Sequence, residues 1–259
     1  MTNHLTMTYC LGIVTSSGLV IAADSRTNAG VDYISCYQKI FDFSLPGERV
    51  ILICTSGNLS ITQAVITAIR QDLKFPESEN VHSLNSLYDI THYIGQKLRQ
   101  IQAQERSWLE KDQIDYHCSF LLGGQIPGEA AELYLIYSQG NFIQAMPDTP
   151  FLQIGETKYG KPILDRTLTF HTSLEDAAKS ALLSIDSTMK SNISVGPPIN
   201  LVMYERDSFV LNHRLRLRRG DPYLAKIRTQ WEESLRTAFE RMPNVDWQQS
   251  QPDTNVTDF

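Results

Sequence analysis

No apolar run in this chain approaches the ~20 residues that a membrane helix needs. The longest uninterrupted ones, such as GLVIAA at 18–23, are strand-sized. Cysteine is scarce as well: Cys10, Cys36, Cys54 and Cys118 are scattered, with no C-x-x-C pair and no histidine at metal-ligand spacing. That excludes a disulfide framework or a zinc motif, and it leaves packed free thiols in a reduced, cytosolic protein as the expectation. The six histidines form neither an H-x-x-x-H nor an H-E-x-x-H pattern, so no metal and no cofactor is expected. An excess of positive charge is also missing. With 23 Lys and Arg against 29 Asp and Glu, the net charge is −6 and the pI about 5.5, which argues against nucleic acid or an anionic membrane as partner. The first seven residues hold neither Lys nor Arg nor a long apolar run, so no secretory signal is expected in them.

What remains is ordinary soluble composition, 42% hydrophobic and 20% charged, over 259 residues, a length ample for one large core. The first third reads as sheet. TYCLGIVT (8–15) and LVIAADS (19–25) flank Ser16-Ser17-Gly18, a tight-hairpin signal; DYISCYQ (32–38) and KIFDF (39–43) follow. RVILICTSG (49–57) is the near-continuous apolar run of a strand buried on both faces. Helical spacing then appears from Leu59 to Leu73 and from Leu84 through Ile101. Strands are expected at 117–123, 131–137 and 150–154, helices at 158–167 and 174–190, and strands at 199–205 and 208–217. The segment 221–242, with Pro222 in its first turn, closes the order as a helix. Ser173 and Asp176 form a capping signal for the helix at 174. One domain over 8–242 is expected, with a polar, disordered tail at 243–259. Blocks of strands separated by helix pairs suit a layered α+β sandwich.

One segment imitates a phosphate-binding loop. GETKYGKP (155–162) supplies Gly155, Gly160 and Lys161 of G-x-x-x-x-G-K-[ST], but Pro162 stands where the Mg²⁺-binding hydroxyl belongs. Proline also lacks the N–H that could meet a phosphate. A strand-to-helix turn is the better reading.

A quieter pattern begins at Thr8. Asp24 stands in IAADSRTNAG and Lys39 in YQKIF. Singly, the first reads as a turn residue and the second as a solvated lysine. Together, with Arg26, Gly30 and later Gly57 in CTSGNLS, they resemble the start of proteasome-type β subunits, which are N-terminal-nucleophile hydrolases. The stretches DSRTNAGVDYIS, QIGETKYGKPILDR and SIDSTMKSNISVGPPINLV are similar to the bacterial Anbu-type proteasome homologues. The likeness runs from about Thr8 into the 240s.

The resemblance implies a four-layer αββα sandwich of the Ntn-hydrolase, proteasome-like class, and a threonine-type endopeptidase that acts on polypeptide. In that scheme Thr8 is the nucleophile and its own α-amine the base. Such an amine titrates at about 7.7–8.0, and a neighbouring ammonium lowers that further. Lys39 supplies the charge, Asp24 orients Lys39, and the Gly57 N–H serves the oxyanion. Ser194 matches a supporting serine. Two positions depart from the pattern: Glu156 stands where a serine usually supports the amine, and Ser191 where an aspartate is usual. Glu156 is expected to replace part of that support electrostatically. Thr27 and Asn28 are expected to line the substrate groove.

The mechanism requires Thr8 to be the first residue, so residues 1–7 read as a leader or a misplaced start, with initiation at Met7 and trimming as one route. The resemblance further implies a homo-oligomer, as a ring or helical stack, fed by an unfoldase or adaptor that the sequence does not identify. Two other readings stay open: an Ntn amidase acting on a small or modified amide, and a non-catalytic ring-forming subunit. The basic run HRLRLRR (213–219) alternates as a strand with one wet and one dry face, for subunit contact or plain solvation.

Overall fold

A computed structural model describes residues 8–28, 34–75 and 77–247. The chain falls into two compact units, residues 1–221 and 222–259. The second is carried by one helix, α5 (Pro222–Glu240), which opens on the proline that suits a first helical turn. Residues 1–7, Gly30 and 248–259, where the leader, one motif glycine and most of the polar tail were expected, lie outside the described residues.

The first unit opens with β1 (Tyr9–Thr15) and β2 (Gly18–Asp24), joined through Ser16 and Ser17. Then come β3 (Arg26–Asn28), β4 (Ile34–Cys36), β5 (Ile40–Asp42) and β6 (Val50–Gly57). Two helices follow, α1 (Leu59–Asp72) and α2 (Leu87–Lys111), capped by the side chains of Asn58 and Ser86. After β7 (Cys118–Gln125), β8 (Glu132–Ile136), β9 (Phe142–Gln144) and β10 (Phe151–Gly155) come α3 (Lys161–Thr167) and α4 (Leu174–Ser191). Strands β11 (Ile199–Glu205) and β12 (His213–Leu217) complete it. Ser173 caps α4 by accepting from the Asp176 N–H, as its spacing suggested.

Two antiparallel five-stranded sheets result, in the orders β10-β1-β2-β11-β12 and β5-β6-β7-β8-β9. Strand parity sorts the side chains. Cys10, Val14, Leu19, Ile21 and Ala23 of the first sheet meet Val50, Leu52, Cys54, Leu121 and Leu133 of the second in a core between them. Ile51, Ile53, Phe120, Leu122 and Ile136 face the other way and pack with Ile61, Val65, Ile90, Ile94 and Leu98 of α1 and α2. Helix α4 packs on β1, β2 and β11, covering the other side of the first sheet. The expected αββα sandwich is the observed architecture.

Three local expectations change. Residues 208–212 do not join a strand at 208–217, because Asp207 and Phe209 both take positive φ and break the extended run; only His213–Leu217 pairs with β11. Strand β9, three residues long, went unanticipated because it is too short to show a period. Cys36 is exposed, whereas Cys10, Cys54 and Cys118 are buried as expected. It sits on the short strand β4, which pairs with β3 outside the two large sheets. Among the described residues, no helix is long and apolar enough to cross a membrane, and no group of three or more His, Cys, Asp or Glu could hold a metal.

Candidate active site

The β1–β2 hairpin builds the first part of the site. A two-residue turn sets the register Thr15↔Gly18 through Cys10↔Ala23. Continuing it places Asp24, the last residue of β2, across from Tyr9. The Asp24 carboxylate is wholly buried and accepts there from the Tyr9 N–H at 3.0 Å through Oδ1. The same oxygen holds the Lys39 ammonium at 2.6 Å. Its partner, Oδ2, accepts from the N–H groups of Arg26 (3.2 Å) and Gly196 (3.1 Å). Burial pushes the Asp24 pKa up; the Lys39 charge and the Tyr9 and Gly196 N–H groups oppose it. Four donors on one carboxylate are what makes a buried ionised group tenable.

Lys39 reaches this carboxylate from the residue before β5. Its own carbonyl accepts from the Thr55 N–H of β6 at 3.0 Å, and its ammonium also donates to the Arg26 carbonyl at 2.7 Å. The residue is 4% exposed, so the solvated-lysine reading is corrected. Beside the pair, burial raises the Cys10 thiol pKa beyond its ordinary range, although the Lys39 charge opposes this.

Thr8 is 7% exposed, next to the pair through its neighbour Tyr9. The Thr8 carbonyl accepts from the Glu156 N–H at 2.8 Å. Gly155 has φ +86°, and a β-carbon there would lie 2.1 Å from the Thr8 oxygen, so only glycine lets β10 run this close. The Glu156 carboxylate accepts from Asn192 Nδ2 at 3.1 Å, and Asn192 Oδ1 accepts from the Ser194 N–H at 2.9 Å. Ser194 itself is buried.

Arg26, noted in the sequence only as part of a motif, clamps the same loop. Its Nη1 donates to the Ile193 carbonyl at 2.6 Å, and its guanidinium lies where a β-carbon on Gly196 would have to go, 2.5 Å from Cζ. Arg26 Nε is buried without a hydrogen-bond partner. Asn192 was missed altogether: nothing in its spacing separates it from an ordinary helix C-cap, which it also is.

Thr8, Asp24, Lys39, Glu156 and Ser194 are thus joined by one set of contacts. Gly57 ends β6 in the left-handed region at φ +100°, where a β-carbon would strike the His117 carbonyl at 2.3 Å. Thr27 and Asn28 fall on strand β3, paired with Ser35 and Ile34. The imitation phosphate loop resolves into packing. Gly160 abuts Ser184 and the Tyr9 hydroxyl, Lys161 pairs with Asp165, and Pro162 opens α3. A cavity of about 430 Å³ lies between edge strands β5 and β12; Ser25, Cys36, Asn200 and Arg216 line it, and Thr8 does not. Arg214 of the basic run pairs with Asp42 across that gap.

Known proteins share the fold that carries these residues. The family described as "Proteasome subunit" matches residues 6–203. An Anbu (ancestral β-subunit) structure from Yersinia bercovieri is 42% identical with a TM-score of 0.87, covering 92% of this chain and 99% of its own. The helical assembly of the Anbu complex from Pseudomonas aeruginosa is 46% identical with a TM-score of 0.88, covering 93% of this chain and 99% of its own. Anbu from Hyphomicrobium sp. strain MC1 is 43% identical at 0.84, covering 92% and 100% respectively. No curated protein sequence matches.

Proposed function

Because the chain belongs to the proteasome-subunit family and is of the Anbu type, we propose that it is an N-terminal threonine hydrolase that cleaves amide bonds in polypeptides. The observation that carries this reading is the double engagement of Asp24 Oδ1. One oxygen holds both the Lys39 ammonium and the N–H of the residue that follows Thr8.

In this mechanism the free Thr8 α-amine removes the proton from its own hydroxyl as Oγ attacks the substrate carbonyl. The tetrahedral oxyanion accepts from the Gly57 N–H. The protonated amine returns its proton to the leaving nitrogen as the C–N bond breaks, leaving an ester on Thr8. Water, deprotonated by the same amine, then attacks that ester; the acyl C–Oγ bond breaks, the ammonium returns its proton to Thr8 Oγ, and the acid leaves. The fixed charge of Lys39 keeps the amine in its basic form near neutral pH, and Asp24 keeps Lys39 in place. Neither metal nor organic cofactor enters. Glu156 and Ser194 support the N-terminal residue, and Thr27 and Asn28 on β3 border the substrate. The Pseudomonas aeruginosa relative forms a helical assembly, and this chain is expected to self-associate likewise.

The reaction needs Thr8 unblocked. The test is therefore a chain beginning at Thr8, given an unfolded protein and short fluorogenic peptides, beside the chain that retains Met1 to Met7 and beside Thr8→Ala. Turnover confined to the Thr8-first chain supports the proposal. Silence toward polypeptide with turnover of small amides would favour an amidase. Silence toward every substrate would leave a structural subunit.

A further inference from the structure

The contacts around Thr8 close into a circuit that the nucleophile, the ammonium and the carboxylate do not account for. From the Thr8 carbonyl the path runs to the Glu156 N–H, through the Glu156 carboxylate to Asn192 Nδ2, and through Asn192 Oδ1 to the Ser194 N–H. Two residues later the Gly196 N–H returns it to Asp24 Oδ2, and Asp24 Oδ1 returns it to Tyr9, bonded to Thr8. Arg26 holds the same loop from outside through the Ile193 carbonyl. Every hydrogen bond in this circuit but one has a backbone group at one end. The Glu156–Asn192 bond joins two side chains, one after β10 and one at the end of α4, and it alone depends on both residue types at once.

We propose that Asn192 is a positioning residue for Thr8, acting through Glu156 and the Ser194 loop. The inference rests on the reading of Thr8 as nucleophile. An asparagine suits the place because it donates with one end and accepts with the other. Glu156 needs a donor, the Ser194 N–H needs an acceptor, and one amide group meets them with its nitrogen and its oxygen. Aspartate would serve Ser194 but face Glu156 as a second carboxylate; leucine would serve neither.

That asymmetry gives a reciprocal test. A chain beginning at Thr8 is labelled with a peptide β-lactone. The Thr8 hydroxyl attacks the lactone carbonyl, the ring C–O bond breaks as the Thr8 ester forms, and the intact mass rises by the whole lactone. Asn192→Asp is expected to slow the limiting labelling rate about 10- to 100-fold, with half-saturation by lactone and thermal midpoint little changed, because misplacement of a bound reactant acts on the chemical step. Adding Glu156→Gln to Asn192→Asp restores a donor opposite an acceptor, and labelling should recover to within about threefold of the Glu156→Gln single variant. If Asn192→Asp does not fold, Asn192→Ala, which brings no new charge, is expected to show the same slowing. Labelling of the single variant at the parent rate, or no recovery in the pair, overturns the proposal. A parent chain that does not label at all overturns the nucleophile reading and this inference with it; a parent that labels alongside unaffected variants overturns this inference alone.

Discussion

Lys39 and Asp24, fifteen positions apart in sequence, form an ion pair of 2.6 Å with both side chains almost wholly removed from solvent. A pair of this kind contributes little net stability against an apolar replacement, because both charges have left water. Breaking it from one side is another matter.

Lys39→Ala leaves the Asp24 carboxylate buried with backbone donors only. The expected cost is about 3 kcal/mol in chemical denaturation. Amide hydrolysis should fall by at least about 100-fold, because the amine loses the charge that favours its free base. Denaturation midpoints and single-turnover rates measured on the same preparation check both.

Gly155→Ala meets two obstacles, a φ of +86° and a β-carbon 2.1 Å from the Thr8 oxygen. The backbone must move, at the one point where β10 approaches Thr8. A loss of about 1–3 kcal/mol is expected from the strained conformation alone. Activity should fall further than stability does, which a comparison of thermal midpoints with kcat/KM will show.

Tyr9 offers a test that needs no substrate. Burial pushes its hydroxyl up to about 12, against the opposing bonds of Ser184 and Gln153. A folded pKa above the ordinary 10 means that the contribution is fully present below pH 10 and lost as pH rises from 10 towards 12. Tyr9→Phe should lower the thermal midpoint at neutral pH, through loss of the buried bonds, yet flatten its decline across pH 10–12. Buried Tyr93 and Tyr134 carry raised values too, so part of the alkaline decline will remain.

Glu156→Gln keeps an acceptor for Asn192 and removes only the charge. If that charge stabilises the ammonium that forms as the Thr8 amine takes up the proton, hydrolysis should fall about tenfold with the melting curve unchanged. Unchanged hydrolysis would assign Glu156 a hydrogen-bonding part and no electrostatic one.

How far the site could be read in advance differs by residue, for reasons of chain geometry. The Ser16-Ser17 turn and the alternation on either side of it set the hairpin register, and that register brings Asp24 opposite Tyr9. Lys39 needed more. Its spacing alone allowed a solvated side chain, and only the resemblance carried it inward. Strand 208–217 was overread because alternation cannot register two positive-φ residues at its start.

The longer β-rich runs, the helical stripes, the Ser173 cap and the tight turn were visible because each depends on neighbours within a few positions, where side-chain periodicity and backbone preference act. The joining of Glu156 to Asn192, of Arg26 to the Ile193 carbonyl and of Gly196 to Asp24 was not. The last pair is 172 residues apart. Hydrogen bonds of this sort leave no period in the chain, since each needs a donor and an acceptor brought together from separate elements. They exist only once β10, α4 and the loop before β11 have packed against the first hairpin, and it is that packing which turns an unremarkable asparagine into the link between the Glu156 carboxylate and the Ser194 loop.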